Sequence, residues 1–180
     1  GTEVFNYENR KLALQLKEFI EGELYHQAKE TYEYNKVHGY PIMIYELMRE
    51  CKITYNFQNL ISLYCDEYIF TGGAHGNTLR KSQTWNLAIG NQIPLKAFFE
   101  GNEYYQLDII KQINEQIAKQ IEEENDIYFP DYCQLALETF RLENYYLTQK
   151  GIVIFFQQYD IAPYSSGIMT FLLKNNLKIK

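Results

Sequence analysis

The sequence has little of what marks metal sites and membrane spans. Its 180 residues include three histidines and three cysteines, and no apolar run approaches the ~20 residues that a transmembrane helix needs. His26 and His38 lie twelve positions apart, whereas a helix-borne metal pair needs a spacing of about four. We expect both at the surface, and we expect no metal, no cofactor and no catalytic residue set.

The charge balance and the N-terminus bear on partners and compartment. A formal net charge of −6 argues against nucleic acid and anionic membranes as partners and mildly favours a basic one. The chain begins Gly1-Thr2-Glu3 without methionine. We therefore expect that a signal or membrane anchor has been trimmed and that the full-length protein lies in the cell envelope.

Aromatic residues are abundant, with 17 tyrosines and 11 phenylalanines. Aromatic side chains favour strands and fill cores. Tyrosine also offers a large contact area with a polar tip, as sugar- and protein-binding surfaces require. Core packing is the default expectation, and a tyrosine-lined contact surface is the alternative.

The first part of the chain predicts one long helix followed by antiparallel strands. Leu12, Leu16, Phe19, Ile20 and Leu24 recur at helical spacing within residues 7–37, and Gly39-Tyr40-Pro41 should end that helix. Strands are expected over 42–56, 60–70 and 81–87, with a turn at 57–59. If paired positions sum to 116, Cys51 faces Cys65, Ile53 faces Leu63, and Tyr55 faces Ile61 on one apolar side of the hairpin.

The cysteines Cys51, Cys65 and Cys133 fit neither a disulfide framework nor a zinc pattern. At least one must be free. Three buried free thiols are the default expectation, and the strand register makes Cys51–Cys65 the one plausible disulfide.

The second part of the chain predicts another helix and further strands. Residues 102–124 carry an apolar helical face, and 133–140 form a short helix or an irregular link. A hairpin over 144–147 and 152–156 and a last strand at 168–173 follow. Because 152–156 is apolar throughout, we expect it to be covered on both faces. The predicted class is α+β: two long helices on antiparallel sheet, in two similar, closely associated halves spanning 1–88 and 89–180.

The segment 71–78 places Gly72, Gly73 and Gly76 directly after a predicted strand. Such glycine density marks positive φ angles or close approach by another group. The segment lacks the Lys-Ser/Thr of a phosphate-binding loop and an obvious following helix. For His75 we favour a hydrogen bond to its own loop backbone, with partner contact and general-base catalysis as alternatives.

Three segments together resemble one family of bacterial extracytoplasmic domains. Tyr68–Thr78 is similar to its glycine signature, Trp85–Leu95 to the stretch that follows, and Phe140–Gly167 to its ending. Ala88 departs from the acidic or threonine character usual there. The resemblance is to domain-of-unknown-function family 3298, preceded by its companion family 4163, and it covers nearly the whole chain.

This pair of families forms the extracytoplasmic part of RsiV-like anti-sigma factors and occurs beside peptidoglycan deacetylase domains. The resemblance implies a non-enzymatic binding or sensing module at the cell surface, with a lysozyme-like protein or a cell-wall glycan as partner. The alternative is a cell-wall hydrolase that uses His75 and a carboxylate, or an accessory domain of a wall-modifying enzyme. We expect the contacts in the loops 71–78 and 157–167, at Gly72, Gly73, His75, Asn77, Tyr159, Pro163 and Tyr164.

Overall fold

Residues 1–123 and 127–174 are described by the computed structural model, and they form an α+β protein with antiparallel sheets. The helices are α1 (Thr2–Phe19), α2 (Tyr25–His38), α3 (Tyr105–Glu122) and α4 (Tyr132–Thr139). A π-helical segment, Ile20–Leu24, joins α1 to α2. The strands are β1 (Glu46–Phe57), β2 (Leu60–Phe70), β3 (Asn77–Asn86), β4 (Asn91–Gln92), β5 (Tyr145–Thr148), β6 (Gly151–Phe156) and β7 (Met169–Leu172).

The strands form two separate antiparallel sheets. The first sheet has the order β1-β2-β3-β4, and the second has the order β5-β6-β7. The short strand β4 pairs with the last two residues of β3, so most of the β3 edge has no strand beside it in the described part of the chain. That edge becomes important for the candidate site.

The β1–β2 hairpin follows the predicted register only as far as Ile53. Cys51 faces Cys65 and Ile53 faces Leu63, but Tyr55 faces Ser62 rather than Ile61, because a bulge shifts the register between Ile53 and Tyr55. The turn consists of the two residues Gln58 and Asn59, with φ values of 47° and 62°. Two-residue hairpin turns of type I′ require positive φ at both positions. The predicted three-residue turn is therefore wrong, and the bulge absorbs the one-residue difference.

The bulge moves Tyr55 to the opposite face, where it packs against the core of the second sheet. The prediction that it shares a face with Ile53 is wrong for that reason. Ile53 itself is 59% exposed, since β1 lies at the edge of the sheet.

The two faces of the first sheet carry different partners. Helix α1 lies on one face, where Phe5 meets Trp85 edge to face at 5.8 Å and Gln83 donates a hydrogen bond to Asn9. Strand β5 crosses the other face and contacts all three long strands. There the buried Ser62 hydroxyl bonds to Thr84 at 2.8 Å and accepts the backbone N–H of Leu147 at 2.9 Å. The second sheet is thus fastened to the first through a polar seam.

The main apolar core lies between α3 and the second sheet. Ile109, Ile113 and Ile117 of α3 are completely buried against strands β5, β6 and β7. All six residues of β6 are buried, which confirms that this strand is covered on both faces. The short helix α4 adds Ala136 to the same core.

The helices and the halves differ from the sequence prediction. One long helical stretch, from α1 through α2, stands beside the 18-residue α3 and the short α4. The expected two long helices and two similar halves are not confirmed, because the first part has four strands and the second has three around a separate core. The predicted boundary at 88/89 stays a prediction. Glu124 of the predicted helix and residues 175–180 of the predicted second domain lie outside the described residues.

The cysteines do not form three buried free thiols, so that default expectation is wrong. Cys51 and Cys65 form a disulfide with a Cα–Cα distance of 4.0 Å, and Cys133 is free and exposed. The confirmed part of the register brings the two thiols opposite each other on adjacent strands, and disulfides need that proximity.

We predict that replacing both bridged cysteines with alanine lowers the free energy of unfolding by about 3 kcal/mol, because the bridge closes a short loop and restricts the unfolded chain. Denaturant unfolding measures the loss. The control, Cys133→Ala, should change stability by less than about 0.5 kcal/mol. Equal losses in both variants would contradict the assignment of the bridge.

Candidate functional site

The structure brings the two predicted contact loops together. Residues 71–76 connect β2 to β3, and residues 157–168 connect β6 to β7. The rings of His75 and Tyr164 stack at a centroid distance of 3.8 Å, and Tyr159 lies 5.8 Å from Tyr164. We call these three residues and the adjacent, exposed Pro163 the loop surface.

Tyr159 is the most prominent aromatic of the loop surface. Its side chain is 55% exposed, and its backbone has a φ of 69°, which is uncommon for a residue other than glycine. His75 is also exposed, whereas Tyr164 is half-buried beneath it. One histidine and two tyrosine rings are therefore held in a fixed arrangement and reach solvent.

The glycines of segment 71–78 each meet a specific backbone demand. Gly72 and Gly73 have φ values of 104° and 96°, and residues that carry a Cβ rarely adopt such backbone angles. Gly76 is restricted by space, because a Cβ there would lie 2.4 Å from the Tyr68 ring. The sequence analysis placed Gly72 and Gly73 among the contact residues. The structure explains both glycines by conformation, and their role in binding stays a prediction.

His75 is hydrogen-bonded to its own loop, as the sequence analysis favoured. Its Nδ1–H donates to the Gly76 carbonyl at 2.9 Å. Because a carbonyl oxygen only accepts, Nδ1 carries the proton in the neutral ring. Among the described residues, no group of three or more histidine, cysteine, aspartate or glutamate side chains is placed to hold a metal ion.

An amide clamp joins the second loop to the free edge of β3. The Gln157 side chain accepts the Arg80 N–H at 3.0 Å and donates to the Arg80 carbonyl at 2.7 Å. The Gln158 side chain accepts the Thr78 N–H at 3.1 Å and donates to the Tyr164 carbonyl at 3.3 Å. The two glutamines thus take the place of a neighbouring strand. They connect the residues after His75 to the loop that carries Tyr164.

Asp160 fixes the start of the second loop. Its carboxylate accepts the Gln157 N–H at 2.7 Å, and its own N–H donates to the Gln157 carbonyl. Burial raises the pKa of Asp160 above its ordinary value of 3.8, and the Gln157 N–H and the charge of Arg141 offset part of that rise. The carboxylate has a structural role as a turn acceptor next to Tyr159.

Arg80 anchors the base of the site electrostatically. Its guanidinium donates two hydrogen bonds to Asp66, at 2.7 and 2.6 Å, and lies 3.8 Å from the centre of the Tyr64 ring. Burial lowers the pKa of Arg80, but the hydrogen bond and the charge of Asp66 outweigh it and raise the pKa above its ordinary value. Bidentate pairing and ring stacking hold this side chain in one geometry.

Sequence reasoning identified the aromatic residues but missed the residues that position them. Gln157 and Gln158 follow an apolar strand like many surface amides, so their type and place carry no distinguishing signal. Asn77 was predicted as a contact residue, and it lies exposed at the start of β3. Its part in binding stays a prediction.

We predict that Gln157→Leu lowers the free energy of unfolding by about 1–3 kcal/mol, because it leaves the Arg80 N–H and carbonyl unpaired at nearly constant side-chain volume. In Gln158→Leu, which removes the bonds to Thr78 and Tyr164, the His75 ring should lose its fixed position over Tyr164, and the NMR shifts of its ring protons report that loss. The control Gln149→Leu, at an exposed turn position, should change neither quantity. An unchanged His75 spectrum in the Gln158 variant would contradict the clamp.

We predict that Asp160→Asn removes one contribution to the pH dependence of the free energy of unfolding in the acidic range. The Asp160 pKa is raised on folding, so the contribution of this group favours the folded state fully below its unfolded pKa. The contribution is lost as the pH rises through the folded pKa. Asparagine keeps an oxygen for the Gln157 N–H but does not ionise. Thermal unfolding measured from about pH 3 to pH 7 should show that the variant gains stability relative to the parent as the pH rises. If the stability curves of the two proteins run parallel over this range, the effect is excluded.

Comparisons with known proteins agree with part of the resemblance. Residues 96–176 match the family model described as "Protein of unknown function (DUF3298)", and residues 3–78 match the model "Deacetylase PdaC". The expected companion family 4163 and the link to RsiV-like proteins are not confirmed. No curated protein matches the chain. Every helix of the described residues is too short or too polar to cross a membrane.

Two solved structures share the fold. A DUF3298 family member from Bacteroides fragilis NCTC 9343 superposes with a TM-score of 0.59 and 19% identity, over 89% of this chain and 65% of that one. A DUF3298 family protein from Pseudomonas aeruginosa PAO1 superposes with a TM-score of 0.54 and 20% identity, over 71% of this chain and 57% of that one. The chain thus spans less than two thirds of either protein. Its C-terminal part matches the DUF3298 model, and its fold is that of solved DUF3298 proteins.

Proposed function

We propose that this chain is a non-enzymatic, extracytoplasmic binding module of a bacterial cell-surface protein, and that the loop surface contacts a basic, lysozyme-like protein. The observation that carries the proposal is the fixed aromatic cluster, in which His75 stacks on Tyr164 beside the exposed Tyr159. Tyrosine anchors that are ordered before binding lose little conformational freedom when a partner arrives.

The amide clamp supports a binding role for this surface. Two loops far apart in sequence are joined by side-chain bonds from Gln157 and Gln158 to the β3 edge. The hydrogen bonds that order the loops therefore come from the chain's own side chains and backbone. Binding sites often lie on loops held by a rigid scaffold.

The disulfide supports an extracytoplasmic location. Cys51 and Cys65 are bridged across the first hairpin, and such bonds persist in oxidising compartments and are rare in the cytosol. The net charge of −6 would also speed encounter with a basic partner.

In a more specific form of the proposal, the chain is the lysozyme-sensing part of an RsiV-like anti-sigma factor that is anchored in the membrane outside this segment. Lysozyme binding would then expose a neighbouring region to proteolysis. The resemblance around Tyr68–Thr78 and Phe140–Gly167 is the support for this version.

A second candidate is an accessory module of a wall-modifying enzyme, with a cell-wall glycan as partner. The match of residues 3–78 to a model named for a deacetylase favours it. In that case the loop surface would contact sugar, and chemistry would belong to another part of the protein. A hydrolase that uses His75 lacks comparable support, because the hydrogen bond described for its ring goes to the loop backbone.

Calorimetric titration with lysozyme tests the proposal. We expect binding that weakens about 30-fold in Tyr159→Ala and in Tyr164→Ala, since a central interface tyrosine contributes roughly 2 kcal/mol. The control Tyr104→Ala removes a tyrosine that is 70% exposed at the start of α3 and should leave the affinity unchanged.

A second experiment measures binding to cell-wall glycan by sedimentation of the chain with insoluble peptidoglycan. Binding to peptidoglycan but not lysozyme, lost in the same two variants, would favour the accessory module. Binding to neither, or a wall-hydrolase activity that His75→Ala abolishes, would overturn the non-enzymatic proposal.

A further inference from the structure

A groove of about 440 Å³ lies between α1 and the face of the first sheet that α1 crosses. Its volume falls in the range of ~300–1,000 Å³ that is typical of small-molecule sites. The helix contributes Leu12, Leu16 and Phe19, which lie on one side of α1 at helical spacing, and the sheet contributes Leu63 and Ile69. One wall of the groove is therefore apolar.

Helix α1 does not close onto the sheet along this groove. None of its residues is buried, and Leu12 remains 38% exposed. An amphipathic helix normally buries its apolar stripe against the core. Here Leu12, Leu16 and Phe19 form a wall that the described residues leave incompletely covered.

The sheet side of the groove carries a charge cluster of three residues. Glu67 lies 3.5 Å from Arg49 Nε and 2.9 Å from Lys81 Nζ. The Arg49 and Glu67 side chains are only 17% and 13% exposed, whereas Lys81 is 59% exposed. Two cations share one carboxylate, so the groove has a net charge of +1 in a chain of net charge −6.

Arg49 retains an unused donor in this cluster. Its Nε–H is buried and has no hydrogen-bond acceptor among the described residues, because the geometry to Glu67 is that of an ion pair rather than a hydrogen bond. Its Nη2 makes a long contact of 3.7 Å to Cys65 Sγ. Because this N–H is closed off from solvent, Arg49 contributes its positive charge to the groove, and the exposed Lys81 Nζ is the donor that an incoming acceptor can reach.

The helix is irregular at the end of the groove. The π-helical segment Ile20–Leu24 begins directly after Phe19. Single π-helical turns occur frequently at functional sites. This irregularity is independent of the charge cluster and points to the same place.

We propose that the groove binds an amphipathic monocarboxylate. Its carboxylate accepts a hydrogen bond from Lys81 Nζ and is attracted by the charge of Arg49, and its hydrocarbon part lies on Leu12, Leu16 and Phe19. A single net positive charge suits a monoanion, and Glu67 disfavours a dianion such as phosphate.

Two sources share this chemistry, a free carboxylic acid and the C-terminus of a peptide with an apolar last residue. Titration of the intact chain with octanoate and with N-acetyl-L-leucine, followed by amide NMR, represents the two sources. We expect saturable shifts at Leu12, Leu16 and Phe19 for at least one acid. Octanamide and N-acetyl-L-leucinamide, which lack the charge, should bind at least tenfold more weakly.

The variants Arg49→Gln and Lys81→Gln should each weaken binding of the responding acid at least tenfold. Lys81 is largely exposed, so Lys81→Gln remains informative if Arg49→Gln fails to fold. Lys52→Gln, on the other face of β1 opposite Tyr64, should leave binding unchanged. The proposal is overturned if neither acid binds, if the amides bind as tightly as the acids, or if Lys81→Gln has no effect.

Discussion

The amide clamp, in which the Gln157 and Gln158 side chains bind the β3 edge, is the interaction on which the loop surface depends. Strand β4 covers only the last residues of β3, so the backbone groups near Arg80 need another partner. One amide side chain supplies both a donor and an acceptor to that residue. Gln158 extends the same edge to Thr78, and the arrangement places Tyr164 beneath His75.

The contact between the two sheets also depends on hydrogen bonds from side chains to backbone groups. Ser62 accepts the Leu147 N–H, and the Ser82 hydroxyl lies within hydrogen-bond distance of the Glu143 and Tyr145 carbonyls. These hydroxyls bind backbone groups in β5 and just before it, and β5 is an edge strand of the second sheet. Each such bond contributes only about 1 kcal/mol to stability, but an unpaired buried group would cost more. The seam therefore fixes how the sheets meet, while the apolar core around α3 supplies most of the burial.

Much of the local structure could be predicted from sequence, and the predictions that proved wrong failed for physical reasons. Gly39 ends the long helix with a φ of 70°, as a glycine followed by proline indicates. The register that pairs Cys51 with Cys65 is set by alternating apolar residues. The bulge beyond Ile53 depends on the positive φ of Gln58 and Asn59, which those residue types permit without requiring. The halves could not be compared from sequence, because their likeness depends on how strands assemble into sheets.

The sequence by itself determined the α+β class, the strands of both hairpins, the double burial of β6 and the family resemblance, since these follow from local periodicity and glycine placement. The tertiary structure alone decided that His75 and Tyr164 stack and that two glutamines join their loops. It also decided that Arg49 and Lys81 face a groove beneath α1. These features join residues distant in sequence, and their geometry depends on the packing of whole sheets and helices rather than on any local pattern.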